Sequence, residues 1–272
     1  MPTVEQNLHQ WANHDWSSRG DEWSQGWGNT TMMWHATVLP RICHFLPAVH
    51  ILEIAPGHGR CTQFLLPHCR EITLVDLVPE CIKACMKRFR KAGPRVRGYV
   101  NNGRSLDMVR DGSIDFVFSW DSLVHVEEDV MRGYVTQIGR KLKPGGTGFL
   151  HHSNIGAYTD ATGRLLVENK NWRGASMSAA KFRQFAAEAG LAMFGQELVE
   201  WGQPAFIDCI SAFGRPPAGA SPRADYPVPV VENPRIFEEG RWIAQLATLY
   251  RPGEEHVFQN GPAALAHRNG RH

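Results

Sequence analysis

The sequence predicts an α/β fold in which a mostly parallel sheet is covered by helices on both faces. Three observations carry this. Apolar runs of strand length alternate with segments of helical periodicity through the middle of the chain. The first run, His50 to Ile54, stops at Pro56-Gly57 and is followed at once by a helical start. The second run, Glu71 to Asp76, ends in a carboxylate, where a strand of such a sheet meets a ligand.

In order along the chain, residues 1–35 hold five of the nine tryptophans: Trp11, Trp16, Trp23, Trp27 and Trp34. Small and polar residues separate them without a strand or helix period, which predicts turns and short helices. This stretch reads as a cap. Either its indoles bury themselves on the main domain, or they form a lid with faces for a substrate to stack on. Residues 36–47 read as a helix stopped by Pro47. After the strand at 50–54 come helix 61–67, strand 71–76, and helix 79–91 with Ile82, Cys85, Met86 and Phe89 on one stripe. Strands at 97–101 and 113–120, helix 129–142, and a strand at 147–151 behind Lys143-Pro144-Gly145-Gly146 complete the alternation.

His151-His152-Ser153-Asn154 opens an irregular insertion over about 152–176, of the kind that carries substrate contacts. A helix over 177–190 ends at Gly190, and strands over 191–201 and 205–213 pair. Residues 214–235 are rich in proline and read as an extended arm. Residues 236–250 have an apolar helical stripe that needs a partner, either a second copy of the chain or the cap. From Arg251 the composition reads as disordered. The chain thus divides into a cap (1–35), a main domain (36–215) and an arm with a tail (216–272).

A glycine turn after a strand serves several ligands. A phosphate-binding loop needs Gly-Lys-Ser/Thr after the turn, and none follows here. A dinucleotide fingerprint needs a third glycine where Thr62 stands. The remaining pattern is acid-x-x-x-Gly-x-Gly, from Glu53 to Gly59, which resembles the first motif of class I S-adenosylmethionine (SAM) methyltransferases. The order continues to resemble that family through strand-end Asp76, the Asn102 loop, the Ile114-Asp-Phe-Val-Phe118 strand, and Arg140-Lys-Leu-Lys-Pro-Gly-Gly146 before a strand. The resemblance covers about residues 36–215 and leaves out the cap and the tail.

The resemblance implies a seven-stranded, mostly parallel sheet, with SAM as methyl donor and S-adenosylhomocysteine as product. Glu53 would act at the methionine ammonium, through backbone or water. Gly57 and Gly59 would admit the methionine part, and Ser119 would offer backbone beside it. Asp76, with Leu77 next to it, would hold the ribose. Asn102, Gly103, Ser105 and Leu106 would surround the adenine.

Methyl transfer to a hydroxyl needs aligned reactants and a group that takes the proton. Histidine suits that task near neutral pH. His125, His151 and His152 all follow strands that end at the cofactor face. His125 falls where many family members carry a histidine near the acceptor, and it ranks first as base, with His152 second. Strand alternation sends His151 and His152 to opposite faces, so only one of that pair reaches the acceptor. Asp121, with a neighbouring histidine and Asn154, forms a candidate cation set. Mg²⁺ is not expected, because an oxygen-rich site wants two or three carboxylates. Indoles and amides together point to a sugar-like small molecule or glycan terminus as acceptor, contacted by Trp27, Trp34, Asp121, Asn154, Tyr158 and Trp172. An aromatic metabolite, methylated on N or O, is the alternative, and a non-catalytic SAM-binding subunit the second.

Composition narrows the partners. The 272 residues are 43% hydrophobic, enough for one large domain with appendages, and the formal net charge is +2. Scattered basic residues and that balance argue against nucleic acid. No apolar run approaches the roughly 20 residues of a membrane span, and the polar N-terminus lacks a signal-peptide shape. The six cysteines lack paired spacing and read as reduced thiols in a cytoplasmic protein.

Overall fold

Eight strands form one sheet in the order β3-β2-β1-β4-β5-β7-β6-β8. The computed structural model describes residues 2–220, 227–248 and 250. The parallel core is β1 (Ala48–Ile54), β2 (Cys69–Asp76), β3 (Val96–Val100), β4 (Ile114–Ser119) and β5 (Leu142–Ser153). β7 (Asp208–Gly214) inserts antiparallel between β5 and β6 (Ala192–Val199). The order reverses between β1 and β4, so the turns that follow those two strands open a crevice at the carboxyl edge.

Strand alternation splits the core into two layers. Ile51, Phe116, Phe118 and Phe149 face one side, where Trp27, Trp34, Val38 and Ile42 cover them. Leu52, Val117 and Leu150 face the other, under α6 (Glu128–Lys141) and α7 (Ala179–Glu188). α6 buries Val130, Met131, Tyr134, Val135 and Ile138 along one stripe, as helical spacing requires. α7 starts at Ser178, whose side chain accepts the Lys181 amide, and Gly190 follows it at φ +70°. Helices α4 (Thr62–Leu65) and α5 (Pro79–Arg88) link the first three strands.

The N-terminal segment begins with α1 (Val4–Ala12), closed by a reciprocal capping box between Thr3 and Gln6. The expected helix over 36–47 is a composite. It runs from α2 (Thr30–Met32) through a π-helical stretch, Met33–Val38, into α3 (Leu39–Ile42) and a final 3₁₀ turn.

The arm departs from the sequence expectation. Within the proline-rich stretch, β8 (Val230–Asn233) pairs parallel with β6 and adds an eighth strand where seven are expected. The edge of β6 offers unpaired backbone groups, and the arm satisfies them. An ionic knot pins it there. Arg41 reaches both Glu197 on β6 and Glu239 on α8 (Glu238–Thr248), at 2.7 and 2.6 Å. α8 then lies across the N-terminal segment, and the Trp27 indole N–H donates to the Ile236 carbonyl at 2.8 Å. Glycines 26 and 28 permit this approach, since a Cβ there would meet Phe237 and Ala244 at 2.4 Å. The stretch from Arg251 lies outside the described residues.

Candidate active site

The turn after β1 is built from left-handed backbone at Ala55 (φ +55°), Gly57 (φ +56°) and Gly59 (φ +79°). It folds back so that the Gly57 amide donates to Asp76 Oδ2 at 3.1 Å, while the Val78 amide donates to Oδ1 at 2.9 Å. Two amides hold the carboxylate at the tip of β2. Burial nevertheless pushes Asp76 up to about 6, against the lowering effect of those bonds. Gly57, Asp76, Leu77 and Gly103 line a cavity of about 590 Å³.

The other cofactor-side candidates do not reach the cavity wall. Glu53 is buried behind the turn, accepts the Thr62 hydroxyl at 2.6 Å, and is pushed by burial up to about 8. It braces the strand-to-helix junction. Gly59 admits the ring of Phe89, which a Cβ would meet at 2.5 Å. Ser119 donates to the Ile54 carbonyl, tying β4 to β1. Asn102 turns its oxygen onto the amides of Arg104 and Ser105, and the Ser105 hydroxyl donates to Asp107. Leu106 is fully buried in the core. Short polar side chains in a turn find their own backbone first, which explains Asn102.

Much of the remaining lining is indole. α1 lays Val4, Asn7, Gln10 and Trp11 over the cavity, and Trp16, Trp23, Trp172, Trp201 and Phe237 complete the rim and walls. The Trp11 and Trp23 rings meet edge to face, with centroids 5.8 Å apart at 89°. Trp16 stacks on His58, 4.6 Å away, over the glycine turn. The expected contacts Trp27 and Trp34 are core residues instead. Both are essentially unexposed: Trp27 bonds the arm, and Trp34 stacks on Phe64. Tryptophan count locates the cap, but only the packing sorts its wall from its anchors.

The three histidines separate cleanly. His125 lies on the cavity wall, its ring 5.1 Å from Trp11 and 5.9 Å from Trp172. Its Nδ1 faces the Trp172 carbonyl at 2.9 Å. A carbonyl only accepts, so Nδ1 carries the hydrogen and Nε2 keeps its lone pair. Burial, with the nearby Arg173 charge, pushes His125 down to about 4, so the ring is neutral at pH 7.

His151 and His152 are spent on structure, contrary to expectation. His151 accepts the Asp121 amide on Nδ1 and faces Asp208 with Nε2, both at 3.2 Å. His152 bonds the Ser153 carbonyl and the Ser211 hydroxyl and stacks on Phe182 at 4.4 Å. Both are fully buried, and neither lines the cavity.

Of the remaining candidates, Trp172 and Asp121 line the cavity, whereas Asn154 and Tyr158 do not. Asn154 bonds the Phe206 carbonyl and the Ala179 amide, and the Tyr158 hydroxyl accepts the Phe206 amide. Asp121, at φ +54°, is paired at 2.9 Å with buried Arg60. Arg60 also donates to Ser24 and lies against the Trp23 ring. Among the described residues no group of three or more His, Cys, Asp or Glu is placed to hold a metal ion. Sequence reasoning missed the cavity residues Asn7, Trp11 and Trp201, because no local pattern marks which cap and loop side chains face the site.

Residues 51–146 match a family described as a methyltransferase domain. A 109-residue stretch is 28% identical to the ubiquinone biosynthesis O-methyltransferase of Xanthomonas campestris pv. campestris. That match spans 40% of this chain and 45% of the relative, less than half its length. The N-methyltransferase NodS of Bradyrhizobium japonicum, solved with S-adenosyl-L-homocysteine, has a similar fold (TM-score 0.54, 21% identity), covering 78% of this chain and 98% of that one. A SAM-dependent methyltransferase of Clostridium acetobutylicum superposes with a TM-score of 0.52 at 14% identity, over 74% of this chain and 96% of its own. The cyclase SpnF superposes with a TM-score of 0.51 at 14% identity, over 76% of this chain and 85% of its own. A shared fold therefore leaves the reaction to the site. The glycine turn, strand-end carboxylate and sheet order agree with the matched segment: residues 51–146 match a methyltransferase domain, set in a fold shared with SAM-dependent methyltransferases.

Proposed function

We propose that this chain transfers the methyl group of SAM to a hydroxyl of a small, flat acceptor, with His125 taking the proton. The observation that carries this reading is the His125 imidazole, held with its Nδ1–H on the Trp172 carbonyl, on the wall of the cavity that Asp76 and Gly57 also line.

SAM fits the residues present. Each Asp76 oxygen accepts one backbone amide and keeps a lone pair for a ribose hydroxyl. Gly57 and Gly103 lack a Cβ, which lets Trp16 and Val4 close over the turn, since a Cβ would lie 2.9 Å from Trp16 and 2.7 Å from Val4. When bound, SAM supplies an electrophilic methyl on a sulfonium. The chain's own part is to bind, align and exclude water. Val4, Asn7 and Trp11 of α1 roof the cavity and serve the last of these. His125 Nε2 makes no hydrogen bond among the described residues, so it is available to receive an acceptor hydroxyl.

Flatness is argued from the polar inventory. The polar side chains near the acceptor end already spend hydrogen bonds on protein. Asn7 donates to the carbonyls of His125 and Thr3 and accepts the Trp11 indole N–H. Asn171 donates to the Trp201 carbonyl, and Asp121 holds Arg60. A polyol buried there would leave hydroxyls unpaired, at about 1–3 kcal/mol each. An aromatic ring with one or two hydroxyls asks less and stacks on the indoles. A sugar-like acceptor remains the second reading, because Gln10 and Lys170 at the cavity are engaged little by the protein core.

The test is a panel of phenols, catechols and methyl glycosides incubated with SAM and read by mass spectrometry for the gain of one methylene. Methylated phenols with untouched glycosides are expected. Glycoside products would overturn the flat-acceptor reading, and SAM binding without any product would favour a non-catalytic role.

A further inference from the structure

One carboxylate anchors two walls of the cavity. Asp208, at the start of β7, is fully buried. It takes a two-pronged bond from Arg173, Nε to Oδ1 at 2.8 Å and Nη2 to Oδ2 at 2.6 Å. Burial alone would raise its carboxyl, but Arg173 and the His151 hydrogen bond hold it down at about 2. The same Oδ2 faces His151 Nε2, and His151 Nδ1 accepts the amide of Asp121.

Arg173 is the residue after Trp172, whose carbonyl fixes the His125 tautomer. Trp172 sits at φ +54°, an uncommon backbone state for a bulky residue, so something must hold the loop. The holding contacts converge on Arg173. Its amide donates to Asn169 Oδ1 at 2.7 Å, and its carbonyl accepts Asn169 Nδ2 at 2.8 Å. Its guanidinium also donates to the Asn171 carbonyl at 3.1 Å. The next residue, Gly174, donates to the Val124 carbonyl beside His125 and has no room for a side chain, since a Cβ would lie 2.0 Å from Val126 O.

We propose that Arg173 and Asp208 are positioning residues: their buried pair clamps the 169–174 loop so that the Trp172 carbonyl holds His125 in the Nδ1–H tautomer with Nε2 facing the cavity. Neither touches the acceptor in this scheme; both act through Trp172. The proposal rests on His125 being the base. A lysine at 173 would keep the charge and lose the fork, since an ammonium has one nitrogen and cannot present the two parallel N–H donors that Arg173 offers from Nε and Nη2. The Trp172 carbonyl would then be free to move by the fraction of an ångström that weakens its hold on Nδ1–H and lets the proton reside on Nε2 instead.

The experiment compares wild type, Arg173→Lys, Asp208→Asn and His125→Ala as full chains, with the phenol found in the acceptor panel. Three readouts are taken: S-adenosylhomocysteine affinity by calorimetry, kcat and acceptor KM separately, and the His125 ring tautomer by ¹⁵N NMR, assigned by difference against His125→Ala. For Arg173→Lys, cofactor affinity is expected within about twofold of wild type, kcat lower by about tenfold or more, and KM little changed. The wild-type ring should show a single Nδ1–H tautomer and the variant a mixture. A single tautomer with normal kcat in Arg173→Lys would overturn the proposal. Should that variant fail to fold, Asp208→Asn keeps the side-chain shape, removes the ion pair and carries the same readouts; unchanged values there overturn it equally. Full activity in His125→Ala would instead withdraw His125 as the base, and the tautomer readout then decides the clamp by itself.

Discussion

The Asn7 side-chain amide donates to the main-chain carbonyl of His125 at 2.9 Å, joining α1 to the turn that carries the candidate base. The same asparagine accepts the Trp11 indole N–H at 3.2 Å, and the Trp11 ring lies 5.1 Å from the His125 ring. The cap and the candidate catalytic residue are thus one packed unit. Loss of the cap should be felt in catalysis as well as in binding.

Trp11→Ala should raise the acceptor KM by about tenfold, equal to about 1.4 kcal/mol of lost stacking and burial. Asn7→Ala should destabilise the fold by about 1–2 kcal/mol, since it leaves the buried His125 carbonyl without that donor. Steady-state kinetics and thermal denaturation of the two variants check this. Unchanged KM in Trp11→Ala would remove the cap from the acceptor site.

His125→Ala should lower kcat by about 10²–10⁴, the usual range for loss of a general base, with cofactor affinity nearly unchanged. His151→Ala and His152→Ala should act through stability, because both rings are buried and hydrogen-bonded away from the cavity. An equal fall in kcat for a well-folded His152 variant would contradict the assignment.

The buried histidines His125 and His152 should each weaken the fold in acid. His125 and His152 are both pushed by burial to about 4, below the unfolded value of about 6.5. Between those values each ring binds more protons in the unfolded chain than in the folded one, so its contribution to stability falls as pH drops from about 6.5 to about 4. Each ring contributes up to about 3 kcal/mol across that window, an upper bound set by full burial. Glu53 and Asp76, pushed up to about 8 and about 6, act with the opposite sign over the same range, so the histidine effect is read as a difference: the urea midpoint of His152→Phe should rise relative to wild type as pH falls from about 6.5 to about 4.5.

Cofactor affinity should have its own pH dependence. Asp76 is raised to about 6 by burial, and a protonated carboxyl accepts poorly from ribose hydroxyls. S-adenosylhomocysteine binding should therefore weaken as pH falls through about 6. Asp76→Asn should cost about 1–3 kcal/mol of binding and remove most of that dependence. Calorimetry at several pH values reads both effects.

Ending the chain at Arg215 removes β8 and α8. It leaves Trp27 Nε1 without the Ile236 carbonyl and Arg41 without Glu239. Phe237, a cavity-wall residue, goes with them. The truncated chain should lose thermal stability by several degrees or more and bind acceptor poorly. An unchanged thermal midpoint would show that the arm is not part of the folded unit.

Local chemistry in the sequence determined the parts of this protein that depend on nearest neighbours. Gly57 and Gly59 mark a left-handed turn because bulkier residues resist that backbone, and Asp76 marks a strand end because an acid seldom closes a buried apolar run without a ligand or a turn to serve. Alternating apolar periods likewise fixed the strand-and-helix order. The tertiary structure alone decided which side chains face the cavity. His125 follows β4 and His152 lies near the end of β5, yet one meets the wall and the other stacks on Phe182, because that choice depends on what α7 packs against. Trp27 and Trp11 sit in the same cap, yet the arm claims one as its anchor while the other roofs the site. β8 is hidden in a proline-rich sequence because its pairing comes from the open edge of β6, not from its own residues. Burial, pairing and ring orientation are set by distant chain segments brought together, and no local pattern encodes them.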